Sequence, residues 1–215
     1  MNDQTGRRRR PSKGDQREEA ILASARTLLC ERPMSKITVA QIAEGAGITA
    51  PTFYFYFATK TDVLVALLDQ VAERVRDELS GWLESEDGTG AGAEEALRQA
   101  LTTNAYLWAE QGALLREVFV CPDNDPRLAS FRDRVSEHLI TALGRRIERD
   151  REVGRALAGP PEAADLARTL VEMTFAVFSA ASRRDDPALR DGRLVETLAA
   201  VVMRSVYGAA PRTGV

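Results

Sequence analysis

The sequence predicts an all-α fold, and two observations support this prediction. After residue 15, apolar residues recur at intervals of three and four in almost every segment, which is the pattern of amphipathic helices. Strand-like alternation occurs in a single stretch, PTFYFYF at residues 51–57, which contains five consecutive aromatic residues. A strand there would have no partner strand elsewhere in the chain, and an isolated strand is not stable. This stretch is therefore predicted to be helical as well.

The composition is typical of a soluble globular protein. Of the 215 residues, 44% are hydrophobic and 28% are charged, which is enough for a sizeable core. No uncharged apolar run reaches the roughly 18 residues of a membrane span, and no apolar segment of a signal peptide follows the basic first residues. Cys30 and Cys121 form no CxxC pattern, which favours free thiols in a reducing cytoplasm.

Charge is distributed unevenly along the chain. Residues 1–60 contain ten Lys and Arg against six Asp and Glu, whereas the rest of the chain contains 19 and 26. A basic head on an acidic body indicates that the head meets a polyanion. Residues 1–14, which include Arg7–Arg10, are predicted to form a flexible basic arm. The alternative is a solvated tail without a function.

Two helices are predicted before the aromatic stretch. Residues 17–31 carry one apolar stripe, and Pro33 ends this helix. Residues 37–47 form the second helix. Thr38 and Gln41 have the spacing of a capping box at its start.

The aromatic stretch begins with its own helix-start signal. Thr49 is a capping residue, and Pro51 falls in the first turn, where its missing N–H has no cost. In a helix, Phe53 and Phe57 lie on one face at i and i+4, which predicts that both are core residues.

A fourth helix is predicted over residues 60–84, capped by Thr59 and Asp62. The Gly-rich segment 87–93 is predicted to be a linker, because it contains no apolar residue larger than alanine. Its spacing vaguely resembles a phosphate loop, but it lacks the Lys-Ser/Thr ending and a preceding strand.

Five further helices are predicted, at residues 94–110, 112–120, 126–152, 161–184 and 190–207. Asp125 and Asp186 each precede a proline and supply capping groups. Gly208 follows the last periodic residue and ends the final helix.

The second and third helices form a helix-turn-helix pattern. Gly47 provides a residue that tolerates positive φ in the turn, and Ala43 permits close approach of the two helices. An ordinary helical hairpin within a larger core is the alternative. Against that alternative, the third helix directs outward the hydroxyl groups that position proteins on phosphates, from Thr49, Thr52, Tyr54 and Tyr56.

The run TVAQIAEGAGITAPTFYFYFATK at residues 38–60 resembles the DNA-binding signature of the TetR family of transcriptional regulators. The similarity is strong over residues 15–70 and fainter at SVYG, residues 205–208. It implies that three N-terminal helices bind double-stranded DNA and that the third enters the major groove. It also implies a helix-turn-helix DNA-binding domain at residues 15–60 and a larger helical effector-binding and dimerisation domain at residues 61–215.

The resemblance implies a set of DNA-binding residues around the third helix. Phosphate contacts are expected from Thr38, Thr49, Tyr54, Tyr56 and Lys60. Base edges are expected to face Ala50, Pro51 and Thr52, and Phe55 is expected to pack on sugars or thymine methyl groups. Because neither Ala50 nor Pro51 donates a hydrogen bond, specificity should depend on methyl contacts, Thr52 and DNA shape. The basic arm would follow the adjacent minor groove or the backbone.

A candidate ligand pocket lies in the second domain. Leu97, Leu101, Asn104 and Trp108 share one face of a helix. Such a stripe is more often core, but Asn104 favours a pocket, because a buried amide needs a partner that a ligand can supply. Further candidate lining residues are Leu114, Val118, Phe119, Phe131, Met173, Thr174, Phe178 and Met203. The implied effector is a small hydrophobic molecule.

The last two helices are apolar over much of their circumference, at Leu166, Leu170, Phe175, Val177, Leu194, Leu198, Val201, Val202 and Val206. The resemblance implies that they form a homodimer interface; a buried pair within one domain explains part of the pattern. A two-fold dimer would read a palindromic operator.

The predicted function is therefore that of a ligand-responsive repressor. An architectural DNA-binding protein without an effector is the alternative. His138, the single histidine, lies in no arrangement typical of catalysis or metal binding, so no enzyme activity, metal or cofactor is expected.

Overall fold

The computed structural model describes residues 13–84, 90–119 and 125–208. Its helices in chain order are α1 (Lys13–Glu31), α2 (Val39–Gly45), α3 (Ala50–Phe53), α4 (Lys60–Glu84), α5 (Gly90–Phe119), α6 (Pro126–Glu152), α7 (Ala163–Arg184) and α8 (Arg193–Tyr207). Short 3-10 turns lie at Met34–Lys36 and Pro187–Leu189. No strand occurs among these residues, and the predicted all-α class is confirmed. None of these helices is long and apolar enough to cross a membrane.

The chain forms two compact units, Met1–Leu67 and Leu68–Val215. In the first unit, α1 packs on α2 and α2 packs on α3. The helices enclose a core of fully buried side chains, among them Ile21, Ile42 and Phe53. Burial of each such side chain contributes about 1.5–3 kcal/mol to folding, so this core fixes the angle at which α3 is presented.

One close contact sets the distance between α1 and α2. The Ser24 hydroxyl donates a hydrogen bond of 2.9 Å to the carbonyl oxygen of Ile42. A Cβ atom at Gly45 would collide with the Ser24 Oγ atom. Glycine at position 45 therefore lets α2 approach α1 closely enough for this bond to form.

The predicted capping groups are present. Thr38 and Gln41 form the full capping box of α2, in which each side chain bonds the other residue's backbone N–H. Asp125 accepts a hydrogen bond from the Arg127 amide at the start of α6. Asp186 accepts one from the Ala188 amide, but this cap opens a 3-10 turn, and α8 begins only at Arg193.

The linker predicted at residues 87–93 differs from the structure in its second half. Helix α5 begins at Gly90, so residues 90–93 are helical, while residues 87–89 lie outside the described part of the chain. Alanine has the highest helix propensity and offsets part of the cost of about 1 kcal/mol that each helical glycine carries.

Helices α5 to α8 build the second unit, with α6 against α7 and α5 against α6, α7 and α8. Helix α5 is kinked at Gln111 (φ −115°, ψ 16°), where the sequence predicts a break between two helices. At the next residue, a Cβ on Gly112 would collide with the Ser182 hydroxyl of α7. The kink and this glycine together allow α5 to follow α7 closely on both sides of the bend.

A buried polar cluster joins the ends of α6 and α8. Asp150, which is 4% exposed, accepts a hydrogen bond of 2.7 Å from the Tyr207 hydroxyl and forms an ion pair of 3.0 Å with Arg155. Burial raises the pKa of the Tyr207 phenol, and the bond to Asp150 raises it further. The buried Asp150 carboxylate thus has a neutral partner, the Tyr207 hydroxyl, and a charged partner, Arg155. A buried charge is stable only when it is paired in this way.

Candidate DNA-binding and ligand-binding sites

Helix α3 is a single turn whose start is fixed by two threonines. Thr49 is the N-cap, and its hydroxyl accepts a hydrogen bond of 3.3 Å from the Thr52 amide. The hydroxyls of the two threonines are 2.9 Å apart and share a second hydrogen bond. Pro51 occupies the first turn, as predicted. The start of this turn is thus held by hydrogen bonds within the protein.

The helix predicted over residues 50–57 is shorter in the structure. Regular α-helix ends at Phe53, and a tight turn follows in which the Tyr56 amide bonds the carbonyl oxygen of Phe53 at 2.9 Å. A run of aromatic residues loses χ1 freedom against the preceding turn, which disfavours continuing the helix. The turn nevertheless keeps Phe53 and Phe57 on one face, since the Phe57 amide donates a hydrogen bond of 3.0 Å to the carbonyl oxygen of Phe53.

The aromatic stretch divides into a buried and an exposed set. Phe53 and Phe57 are 0% and 7% exposed, which confirms that both are core residues. Phe55 is 87% exposed and Tyr54 is 58% exposed, with the Tyr54 ring edge against Phe53 at 5.5 Å. Tyr56 is half-buried. Two large aromatic side chains therefore face outward beside α3.

Four smaller predicted contact residues lie around this surface. Thr49 and Pro51 are exposed, and Ala50 and Thr52 are half-buried. Thr38 is exposed at the start of α2, but its amide already donates to the Gln41 side chain at 3.0 Å.

Lys60 is held inside the first unit. Its ammonium group donates hydrogen bonds to the carbonyl oxygens of Met34 (2.7 Å) and Ile37 (2.8 Å). At most one of the three N–H donors of this group remains for a phosphate. Sequence reasoning missed this role, because the partners lie more than 20 residues away. The predicted arm at Arg7–Arg10 lies outside the described residues.

An apolar cavity of about 80 Å³ lies within the second unit. Four predicted residues line it: Leu97, Leu101, Asn104 and Thr174. The Thr174 hydroxyl already donates to the carbonyl oxygen of Leu170 at 2.8 Å, whereas the half-buried amide of Asn104 bonds no described residue. Asn104 is therefore the polar group that an occupant of this cavity would meet.

The remaining candidate pocket residues do not line this cavity. Phe119 lines a separate, polar cleft, and Met173 is half-buried on α7. The others are buried in the core of the second unit: Trp108, Leu114, Val118, Phe131, Phe178 and Met203. Periodicity places all of them on inward faces but does not reveal which inward positions surround empty space.

The sequence also missed several residues that do line the cavity. They are Ala100, Leu139, Leu143, Leu170, Val171, Phe175 and Val202. Three of these, Leu170, Phe175 and Val202, were assigned by their pattern to the apolar surface of the last two helices. The only available signal was their position on apolar stripes, which core and pocket residues share.

The last two helices bury most of their apolar residues within one chain. Leu166, Leu170, Leu198, Val202 and Val206 are all buried. Four others remain partly accessible: Phe175, Val177 and Leu194 are half-buried and Val201 is 37% exposed, and of these Phe175 lines the apolar cavity. A buried pair within one unit thus explains part of the pattern, while Val177, Leu194 and Val201 stay partly accessible.

No group of three His, Cys, Asp or Glu residues suited to a metal ion occurs in residues 13–84, 90–119 and 125–208. His138 is exposed on α6, and Cys30 is an exposed free thiol, while Cys121 falls outside the described residues.

Comparison with known proteins agrees with this architecture. Residues 21–67 match the family described as bacterial regulatory proteins, tetR family, and residues 97–208 match the C-terminal domain of the transcriptional regulator EthR. The HTH-type transcriptional regulator EthR of Mycolicibacterium smegmatis is 32% identical over 206 residues, which cover 96% of this chain and 93% of that protein.

Solved structures show the same fold. A TetR transcription regulator from Haloarcula marismortui has a TM-score of 0.72 and 20% identity, covering 92% of this chain and 100% of its own. A SmeT–triclosan complex has a TM-score of 0.69 and 20% identity, covering 93% and 99%. The curated relative and the matching family are both named as transcriptional regulators. The chain belongs to the TetR family of bacterial transcriptional regulators, with a C-terminal domain of the EthR type.

Proposed function

We propose that this regulator is a cytoplasmic repressor that binds a palindromic DNA operator as a homodimer and is released by a small hydrophobic effector. One observation carries the DNA-binding part. The short α3 turn buries Phe53 and Phe57 while Tyr54 and Phe55 stay exposed beside Pro51. Large exposed aromatic side chains are costly in water and are retained where a partner covers them.

The exposed groups suit a groove lined by sugars and thymine methyl groups. Phe55 and Pro51 offer apolar contact, and Ala50 adds no hydrogen-bond donor. The Thr52 hydroxyl shares a hydrogen bond with Thr49, which would orient it for contact with a base edge. Specificity would then come from methyl contacts and from DNA shape more than from bidentate base recognition.

Phosphate contacts would come from hydroxyl groups flanking α3. Tyr54 and Tyr56 each carry a phenol that can donate to a phosphate, and Thr49 stands exposed at the helix start. The hydroxyl of Thr38 is partly engaged with Gln41 at 3.2 Å. These contacts would set the register of the protein on DNA without reading its sequence.

Dimerisation would use the outer faces of α7 and α8. Val177, Leu194 and Val201 are accessible there in the isolated chain. Two identical subunits related by a two-fold axis present two copies of α3 to half-sites about one DNA turn apart. A palindromic operator matches that symmetry.

The effector would enter the second unit, where Asn104 lines the apolar cavity without a described partner. A complex of the structural neighbour SmeT contains triclosan, a small molecule. A ligand that binds more tightly to a conformation with the wrong spacing of the two α3 turns would lower operator affinity. Repression would then be relieved by population shift.

One observation favours the alternative, an architectural DNA-binding protein without an effector. The cavity of about 80 Å³ is much smaller than the roughly 300–1,000 Å³ of typical ligand pockets. An effector would have to enlarge it.

Selection from a random duplex pool, followed by anisotropy titrations at two salt concentrations, separates these functions. Enrichment of one palindrome, with binding about 10³-fold tighter than to random duplexes, is expected of an operator-binding regulator. Uniform affinity for all duplexes would support the architectural alternative, and absence of binding at low salt would refute both.

A further inference from the structure

A polar cleft of about 680 Å³ lies next to the apolar cavity in the second unit. Phe175 lines both spaces, and its ring lies 4.7 Å from that of Phe119, which lines the cleft. The Phe119 ring in turn lies 5.8 Å from that of Trp108. Phe175 therefore borders both spaces and belongs to a row of three aromatic rings with Phe119 and Trp108.

The lining changes character along one face of α7. Val171, Phe175, Ser179 and Arg183 follow at steps of four, so they lie in one row on the helix. The first two line the apolar cavity, and the last three line the cleft. At 1.5 Å per residue the row is roughly 18 Å long. The row therefore runs from the apolar cavity to the charged cleft.

Arg183 is the cation of the cleft that lacks a carboxylate among the described residues. Arg132 pairs with Asp133 at 2.8 Å, and Arg168 pairs with Glu137 at 3.6 Å. The Arg183 guanidinium makes one long hydrogen bond of 3.4 Å, to the Ser179 hydroxyl. Ser179 is itself only 5% exposed, so an arginine fork and a buried hydroxyl stand side by side.

We propose that the effector of this regulator is an elongated amphipathic carboxylate. Its carboxylate would bind Arg183 and Ser179 in the cleft, and its apolar chain would pass Phe175 into the apolar cavity. Guanidinium and carboxylate groups match in geometry and form strong charge-assisted hydrogen bonds. Glu172, another cleft residue, lies about 16 Å from Arg183 along the helix axis, too far to oppose a charge bound there.

This inference rests on the proposed effector response but is tested on the protein without DNA. Dodecanoate, dodecanol and dodecylammonium, below their micelle concentrations, share one chain and differ in the head group. Calorimetric titration should show dodecanoate binding about tenfold more tightly than dodecanol, because it gains a charged hydrogen bond. Equal affinities, or tighter binding of dodecylammonium, would overturn the proposal.

Arg183→Gln should abolish the tenfold preference for dodecanoate over dodecanol. Arg184→Gln is the matched control, since Arg183 and Arg184 are both exposed and only Arg183 lines the cleft. A preference that survives Arg183→Gln, or disappears equally in both variants, would refute the assignment. The circular dichroism spectrum of each variant reports whether it is folded. Operator binding by the same variants separates failure of this inference from failure of the proposed function.

Discussion

The ammonium group of Lys60 is bonded to the carbonyl oxygen of Ile37 at 2.8 Å and, through a second N–H, to that of Met34 at 2.7 Å. This lysine therefore ties the start of α4 to the turn that precedes α2. Thr38, the N-cap of α2, is the next residue after Ile37. A residue expected to bind phosphate thus has a positioning role within the protein.

Lys60→Met should lower the free energy of unfolding by about 1–3 kcal/mol, because two carbonyl groups lose a charged donor. Operator affinity should fall, while the slope of log K against log salt should remain unchanged. A lysine that neutralises one phosphate would reduce that slope by about one. Lys36→Met, at an exposed lysine of the same turn, is the control. A slope lowered only in Lys60→Met would show that the phosphate contact dominates.

Gly45→Ala should destabilise the first unit by about 1–3 kcal/mol, because the added Cβ displaces the Ser24 hydroxyl from its bond to Ile42. Urea unfolding of the single variants and of Ser24→Ala/Gly45→Ala measures the coupling. The double variant should lose less than the sum of the single losses. Strict additivity would mean that the two residues do not interact.

Tyr207→Phe should cost about 1–3 kcal/mol in urea unfolding, because the buried Asp150 carboxylate loses a hydrogen bond of 2.7 Å. Tyr106→Phe removes a hydroxyl from a side chain that is 68% exposed, and should change stability by less than about 0.5 kcal/mol. Equal effects of the two substitutions would contradict the role of the polar cluster.

Phe55→Ser should leave the free energy of unfolding within about 0.5 kcal/mol of wild type, since the ring is 87% exposed. Anisotropy titrations should nevertheless show weaker operator binding. Phe53→Ala, in contrast, should cost about 3–5 kcal/mol, because its ring is fully buried. Unchanged DNA affinity in Phe55→Ser would remove Phe55 from the interface.

Val201→Glu should prevent the proposed dimerisation, because it places a charge within the apolar face of α8. Sedimentation velocity at micromolar concentration reports the change. Val153→Glu is a suitable control, since Val153 is 62% exposed at the end of α6. A Val201→Glu protein that still sediments as a dimer would place the interface elsewhere.

Features that depend on neighbouring residues could be predicted from the sequence. The Thr38–Gln41 capping box, the bend at Gln111 and the burial of Phe53 all follow from spacings of four residues or fewer. The residue at which α3 ends could not be predicted from the sequence, because aromatic residues fit several backbone conformations.

Features that depend on distant contacts could not be predicted in this way. The two acceptors of Lys60 lie 26 and 23 residues before it in the chain. The apolar cavity depends on how α5, α6, α7 and α8 are rotated relative to one another, and a leucine such as Leu143 has the same sequence pattern whether it meets a side chain or a void. Sequence periodicity identifies the inward face of a helix but does not show how completely the bundle fills.

The brevity of α3 bears on how operators for this regulator would evolve. A helix of four residues extends about 6 Å, which corresponds to roughly two base-pair steps of 3.4 Å. In the proposed complex α3 would then inspect very few bases directly, with Phe55 of the following turn adding apolar contact, and the remaining positions of a binding site would be free to drift so long as local flexibility and groove width persist. New promoters would come under its control through a small number of point changes in DNA, without any change in the protein.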